Sequence, residues 1–482
     1  MNFRQMSDGI QLHHHLHRGF DDDAPHAPSW LHSPRLGTID TGGNSAGDGG
    51  NGVFAGRVVH APVASVEPVN AATVHLRGSA DAHQSDTVHA DQQASQNAAV
   101  GGNGGADNGA AGGNALVPAS GPVIGPDPGS IHTGANDAGN GGAGYFYGGM
   151  IHASLIVYEP INITVAVGYG SIALADQTNN VSIDQSVVQM AGIGGDGGSG
   201  NVALGGNVDI SSALGAGSIA TGANSAGNGG AGHFSGTLLD APIVIYNPIN
   251  IAVAGAGGTA HASQSNTVAI DQSATQIAGI GGNGGNDNAA IGGNVSTTGS
   301  GSGGGIDTGG GHAGNGGDGS FTGSLVHTSV IVYDPINISV AGYNSSSYAL
   351  QNNNVHLDQF SFQMAGIGGN GGDGNVAMGG HLGSSGLLGG SDAIATGSNS
   401  AGNGGNGYFS GSLVDVSIAI YAPINIAVAG PHSIAVADQV NDVHIDQSAV
   451  QIAGIGGHGG DGNLALGGDL ATHLLSDLHL MA

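Results

Sequence analysis

Three groups of residues in this sequence could do chemistry. His13, His14, His15 and His17 crowd imidazoles into a short stretch near the N-terminus. Neutral imidazoles so placed can chelate a transition metal, or the stretch is a flexible tail with incidental affinity. No Asp/His spacing of a closed site follows it. Asp373 and Asp461 stand in glycine strings, the clearest being Gly-Gly-His-Gly-Gly-Asp-Gly-Asn-Leu at 456–464. A carboxylate there suits a hard cation such as calcium, and the other reading is a plain glycine turn. The third group is made of amides. Asn162, Asn250, Asn337 and Asn425 each follow Pro-Ile, and Gln185, Gln272, Gln359 and Gln447 each follow an aspartate: Asp184, Asp271, Asp358 and Asp446. A side-chain amide both donates and accepts, so stacked copies can bond above and below in a ladder, and the four aspartates, which hold the same register, are expected to belong to it.

Nothing here assembles a catalytic set. The glycine strings lack the Gly-Lys-Ser/Thr of a phosphate loop. The serines have no nucleophile-elbow context. Histidines scatter among the repeats, so that His60 falls where Asp240 and Asp415 stand. The expectation is a protein that is not an enzyme and needs no cofactor, with calcium as the one cation the acidic glycine strings suit.

The amides belong to a unit that occurs five times. Its opening threonine falls at Thr41, Thr133, Thr221, Thr308 and Thr396, and the Asn of Pro-[Ile/Val]-Asn at Asn70, Asn162, Asn250, Asn337 and Asn425. Both series step by 92, 88, 87 and 88 residues. A period this regular means a stacked or beaded architecture. We divide the chain into an irregular leader (1–40), repeats at 41–132, 133–220, 221–307, 308–395 and 396–469, and a terminal segment (470–482) that is a capping helix or an export signal.

Within the last repeat, alternation marks short strands at Val416–Tyr421 and Ile424–Val428 around Pro423, and further pieces at 434–436, 443–445 and 450–455. No apolar period of 3.6 with caps occurs, which argues against helix. Phe54, Phe146, Phe234, Phe321 and Phe409 recur beside glycines as packing anchors. Two further glutamine series flank the first, at Gln84, Gln177, Gln264, Gln351 and Gln439 and at Gln96, Gln189, Gln276, Gln363 and Gln451. The expected fold is all-β: an elongated, β-solenoid-like repeat architecture. Its glycine blocks form loops or polyglycine-type segments, since only glycine permits backbones so close.

Composition limits the partners. Glycine makes up 97 of 482 residues, against an ordinary share of about 7%. Aromatics are 4%, so thin layers of small side chains are expected rather than one deep core. There is no cysteine, hence no disulfide and no thiolate metal site. The formal charge is −29, and the only basic residues are Arg4, Arg18, Arg35, Arg57 and Arg77. Such a chain repels nucleic acid and anionic membranes and attracts divalent cations. No apolar run is long enough for a transmembrane helix, so membrane insertion is not expected. Residues 1–20 lack the basic-then-apolar pattern of a cleaved signal peptide.

The glycine-aspartate string at 456–464 resembles the calcium nonapeptide of RTX exported proteins, departing from it at Asn463. That resemblance implies calcium at Asp373 and Asp461, type I-like export without a cleaved leader, and an uncleaved C-terminal signal. The recurring Gln and Asn positions are similar to those of the curlin group, which implies an amyloid-like β-solenoid fibre. The Gly-Asn-Gly-Gly text resembles mycobacterial PGRS proteins, whose helical N-terminal domain has no counterpart here. Together these lead to an expected function: an exported bacterial structural or adhesive protein, self-associating into a rod or fibre at the cell surface or in the extracellular matrix. A calcium-responsive RTX-like secreted binding module is the alternative, and a carbohydrate-active β-helix enzyme comes third.

Overall fold

The computed structural model describes residues 39–117, 130–211, 218–297, 305–384 and 394–472. The leader histidines and residues 473–482 lie outside these ranges. The described residues form strands, turns and extended segments, with no helix among them. Each repeat makes one coil, and the five coils lie over one another in parallel register. In the central coil the strands are Ile219–Thr221, Asn224–Ala226, Gly232–Asp240, Ile243–Tyr246, Ile249–Ala254, Thr259–Ile280, Ala289–Ile291 and Val295–Thr297. Equivalent residues pair throughout: Phe146 with Phe234, Asn162 with Asn250, Gln185 with Gln272. The β-solenoid reading therefore holds, with one repeat per turn.

Each coil is long and flat. The 22-residue strand Thr259–Ile280 spans about 73 Å, whereas five layers at about 4.8 Å stand only about 24 Å high. The molecule is elongated along its strands, across the direction in which its repeats stack. Leu470–Thr472, placed by sequence in the terminal segment, completes the fifth coil by pairing with Leu382–Ser384.

The coil doubles back near 255–258, so the long strand faces the two strands that precede it. Side chains of the long strand alternate in and out from Thr259 to Ala278, and the alternation breaks only at Gly279, a left-handed residue that the pairing skips. The short pieces expected at 434–436, 443–445 and 450–455 are therefore one strand, Ile434–Ala453. The polar residues between those pieces read as breaks. Three of the seven, Gln439, Asn441 and Gln447, are amides in register with inward amides of the coil before, where they take the place of apolar side chains.

Between the two walls the core changes along its length. Near the turn it is alanine on alanine, Ala252 and Ala254 against Ala260 and Ala262. Tyr246 and Val244 then pack on Val268 and Ile270, followed by Phe234 and Leu238 on Ala278. The phenylalanines are the anchors expected of them: Phe146, Phe234 and Phe321 are buried, and adjacent rings stack 5.0–5.2 Å apart. This is a set of thin layers, as the composition demands.

Beyond the phenylalanines the two glycine blocks of each coil lie face to face as polyglycine-type strands. Their donors follow a three-residue cycle. Gly281 donates to Ile367 in the next coil, and Gly282 donates sideways to Gly230 in the facing block. Asn283, the third, bonds through a side chain of the coil before, Asp196 Oδ1 at 2.7 Å. The sideways bonds form one zigzag from Gly102→Gly50 through Gly142→Gly102, Gly195→Gly142 and Gly230→Gly195 up to Gly457→Gly405, each 2.8 Å. Three residues per turn with donors splayed in three directions is polyproline-II geometry, here bonded as in polyglycine. A Cβ on Gly282 would lie 2.0 Å from the Gly195 carbonyl oxygen, so no other residue fits.

Candidate functional site

The amide ladders are in place. Asn70, Asn162, Asn250, Asn337 and Asn425 bond in sequence, each Nδ2 donating to the next Oδ1 at 2.9–3.0 Å. Asn250 is fully buried. Its Nδ2 also faces the carbonyls of Ala175 and Ser263 across the core, at 3.0 and 2.8 Å. The glutamines run the other way. Gln447, Gln359, Gln272 and Gln185 each donate to the coil before, ending on Gln92, at 2.6–2.9 Å. The series ending at Gln451 does the same at 2.7–2.8 Å. The series through Gln264 breaks at the last step: Gln351 Oε1 has no protein partner.

The aspartates before the glutamines stack in the same register but face outward. Asp184 and Asp358 are half-buried, Asp271 and Asp446 exposed, and none bonds to another of the column. Being one residue from an inward amide puts them on the opposite face. The Asp271 carboxyl is held above the usual carboxylate range by burial first, then by the charges of Asp184 and Asp358, with His356 opposing. In sequence they looked like ladder members; in space they are an acidic stripe.

Asp373 and Asp461 occupy the third, outward position of the glycine cycle. Asp373 Oδ1 accepts the backbone N–H of Asp461 at 2.6 Å, and Asn286 Oδ1 accepts that of Asp373 at 2.7 Å. The carboxylate thus satisfies a donor that the glycine cycle leaves over. Among the described residues no three His, Asp or Glu side chains come together to hold a metal ion. The residue that breaks the RTX pattern has a clear role: Asn463 Oδ1 accepts the N–H of Asn375 at 2.7 Å, the last rung of an asparagine column through Asn108, Asn201 and Asn288.

Sequence reasoning missed two buried columns. Tyr246, Tyr333 and Tyr421 donate to Asn266, Asn353 and Asn441 at 2.7–2.8 Å. Burial pushes the Tyr246 hydroxyl well above its ordinary value. Those asparagines form their own ladder from Asn179 to Asn441 at 2.7–2.8 Å, with Asp86 at its foot. The second column is His60, His152, Asp240, His327 and Asp415. His152 Nδ1 and His327 Nδ1 lie 2.7 and 2.8 Å from the two oxygens of Asp240, and all three side chains are buried. One carboxyl group thus bridges the two rings, one oxygen to each Nδ1. Asp415 Oδ1, next in the column, is buried without a protein partner. Aligning the five repeats position by position exposes both columns.

Among the described residues the columns end at two uncovered faces. The edge strands are Ser79–Val100 in the first coil and Ile434–Ala453 in the last, 22 and 20 residues long. Compared with protein families, with curated proteins and with solved structures, the chain matches none.

Proposed function

We propose that this protein is a structural building block whose copies stack end to end, last coil on first coil, into a fibre outside the bacterium that exports it. The observation carrying this reading is that the polar columns end in complementary groups. At the last coil Asn441 has a spare Nδ2 donor, and the same column begins in the first coil with the Asp86 carboxylate. Gln447 offers a spare Oε1, and Gln92 at the foot of its column offers a spare Nε2. Asp415, short of a partner, would meet His60.

Long open edges otherwise invite uncontrolled pairing, and proteins blunt them with lysine, proline or short strands. Here they are long and lysine-free. A head-to-tail contact does not close on itself, so it makes a filament. The extracellular or cell-surface location rests on the glycine-rich, acidic, cysteine-free composition. Export without a cleaved leader belongs to the same proposal.

Electron microscopy of the full chain tests it. Filaments with an axial repeat of about 24 Å per chain are expected, five layers at about 4.8 Å. Asn441→Asp keeps the acceptor oxygen used by Asn353 and Tyr421 but sets a carboxylate over Asp86, so it should stop growth while the monomer stays folded. A wild-type chain that stays monomeric at every concentration, or filaments indifferent to Asn441→Asp, would sink the reading.

A further inference from the structure

The strands on either side of the Asn-Pro bend are apolar on both faces. In the central coil Val244, Tyr246 and Ala252 point into the core, while Ile243, Ile245, Ile249, Ile251 and Val253 point out. The register repeats this in every coil: the Ile249 column reads Val69, Ile161, Ile249, Ile336 and Ile424. At the ends of these columns the side chains are openly exposed, Val69 at 67% and Ile424 at 40%. The result is a flat aliphatic wall. The opposite wall, formed by the long strands, is polar outside, with Ser263, Ser265, Thr267, Asp271 and Ser273 in the central coil.

We infer that this wall is an interface on which a second copy of the chain packs face to face. The area argues for it. Eleven residues along the strand at about 3.3 Å and five layers at about 4.8 Å give a footprint of roughly 870 Å², comparable to the ~800 Å² per partner of a standard stable interface. That exceeds what monomers usually leave bare as apolar surface. Shape argues the same way: β-branched columns on a flat sheet interdigitate with a like sheet at about 10 Å, as in aligned sandwiches.

Charge chooses the partner. The chain is strongly acidic, and its stacked aspartates, Asp184, Asp271 and Asp358, lie on the far wall. Two copies meeting by the aliphatic wall approach where repulsion is least, whereas an anionic membrane is repelled by the whole body. One polar column crosses the wall before the prolines: Glu67, Glu159, Asn247, Asp334 and Ala422. In a two-fold pair it faces itself, so like charges weaken the contact and salt strengthens it.

This inference does not rest on end-to-end stacking, and the two fail separately. Sedimentation velocity of the wild-type chain should show a closed dimer, or filaments of doubled thickness, with association rising as sodium chloride is raised. Ile251→Thr with Ile338→Thr keeps β-branching and should weaken pairing at least tenfold with an unchanged circular dichroism spectrum. Ile251→Asp with Ile338→Asp should abolish it. Loss of filaments in Asn441→Asp should leave the dimer intact. Wild-type particles of single thickness at all salt concentrations would overturn the inference. So would equal pairing by the threonine variant, or a monomer that instead partitions onto neutral phosphatidylcholine vesicles.

Discussion

The glycine half and the amide half of each coil solve one problem in two ways. Both must zip identical layers together. In the glycine half the backbone does everything: Gly281 bonds upward, Gly282 sideways, and only Asn283 turns a side chain outward. In the amide half the backbone bonds only up and down, and side chains fill the space between walls. The difference shows as a period of tolerance. In the glycine half every third residue is free to vary, and that position holds Asn103, Asp196, Asn283, Asn370 and His458. In the amide half every second one is, so Ser273 pairs with Phe360 while their neighbours Gln272 and Gln359 are alike.

Adjacent substitutions in the central coil test the period of three. Gly282→Ala drives a Cβ to 2.0 Å from the Gly195 carbonyl oxygen, a backbone atom with no room to move. The expected cost is above roughly 4 kcal/mol, the range reserved for steric disruption of a core, with loss of a single cooperative transition in thermal unfolding. Asn283→Ala, one residue on, removes exposed bonds that water replaces and should cost about 1 kcal/mol or less. Similar effects at the two positions would mean that the glycine half is not packed backbone to backbone.

The amide half is tested by position along the stack. Asn250→Ala orphans the donor of Asn162, the acceptor of Asn337 and a share of two core carbonyls, all buried. A cost of about 2–3 kcal/mol follows from leaving such groups unpaired. Asn425→Ala, at the open end, severs one rung and leaves its remaining partners near water. About 1 kcal/mol is expected there. Denaturant unfolding of the two variants compares them directly, and equal losses would remove the ladder from the stability of the fold.

Much of this is legible in the amino-acid sequence. The five-fold register came from Thr41 to Thr396, and the ladders came from amides that hold while their neighbours drift. What stayed hidden has physical reasons. Inward amides such as Gln264 and Asn266 count as polar in hydropathy even when buried and bonded, so alternation of apolar residues divides one long strand into short pieces. Asp271 shares the period of Gln272 but not its face, and a one-residue offset in a strand is a change of side. The outward face of Ile249 and Ile251 is not legible in sequence, since strand alternation shows which residues share a face and not whether that face is covered. The His152–Asp240–His327 column mixes residue types, so identity along the repeat gave no signal.

The smallest effect probes the acidic stripe. The Asp271 carboxyl is raised above its ordinary value of 3.8 by burial and by the flanking Asp184 and Asp358. The folded state therefore disfavours its ionised form. That cost is fully present above the folded value and vanishes below the unfolded one. Asp271→Asn should raise the melting temperature at pH 7, and the gain should fade as the pH drops toward 4. The side chain is largely exposed and screened, so the gain is no more than roughly 0.5 kcal/mol and shrinks in salt. The same replacement at Gln272, one residue inward, keeps the amide but shortens it by a methylene. It breaks contact with Gln185 and Gln359 at once and should destabilise at every pH. Opposite signs at neighbouring residues are what a strand with one wet and one dry face requires, and a shared sign would refute that division.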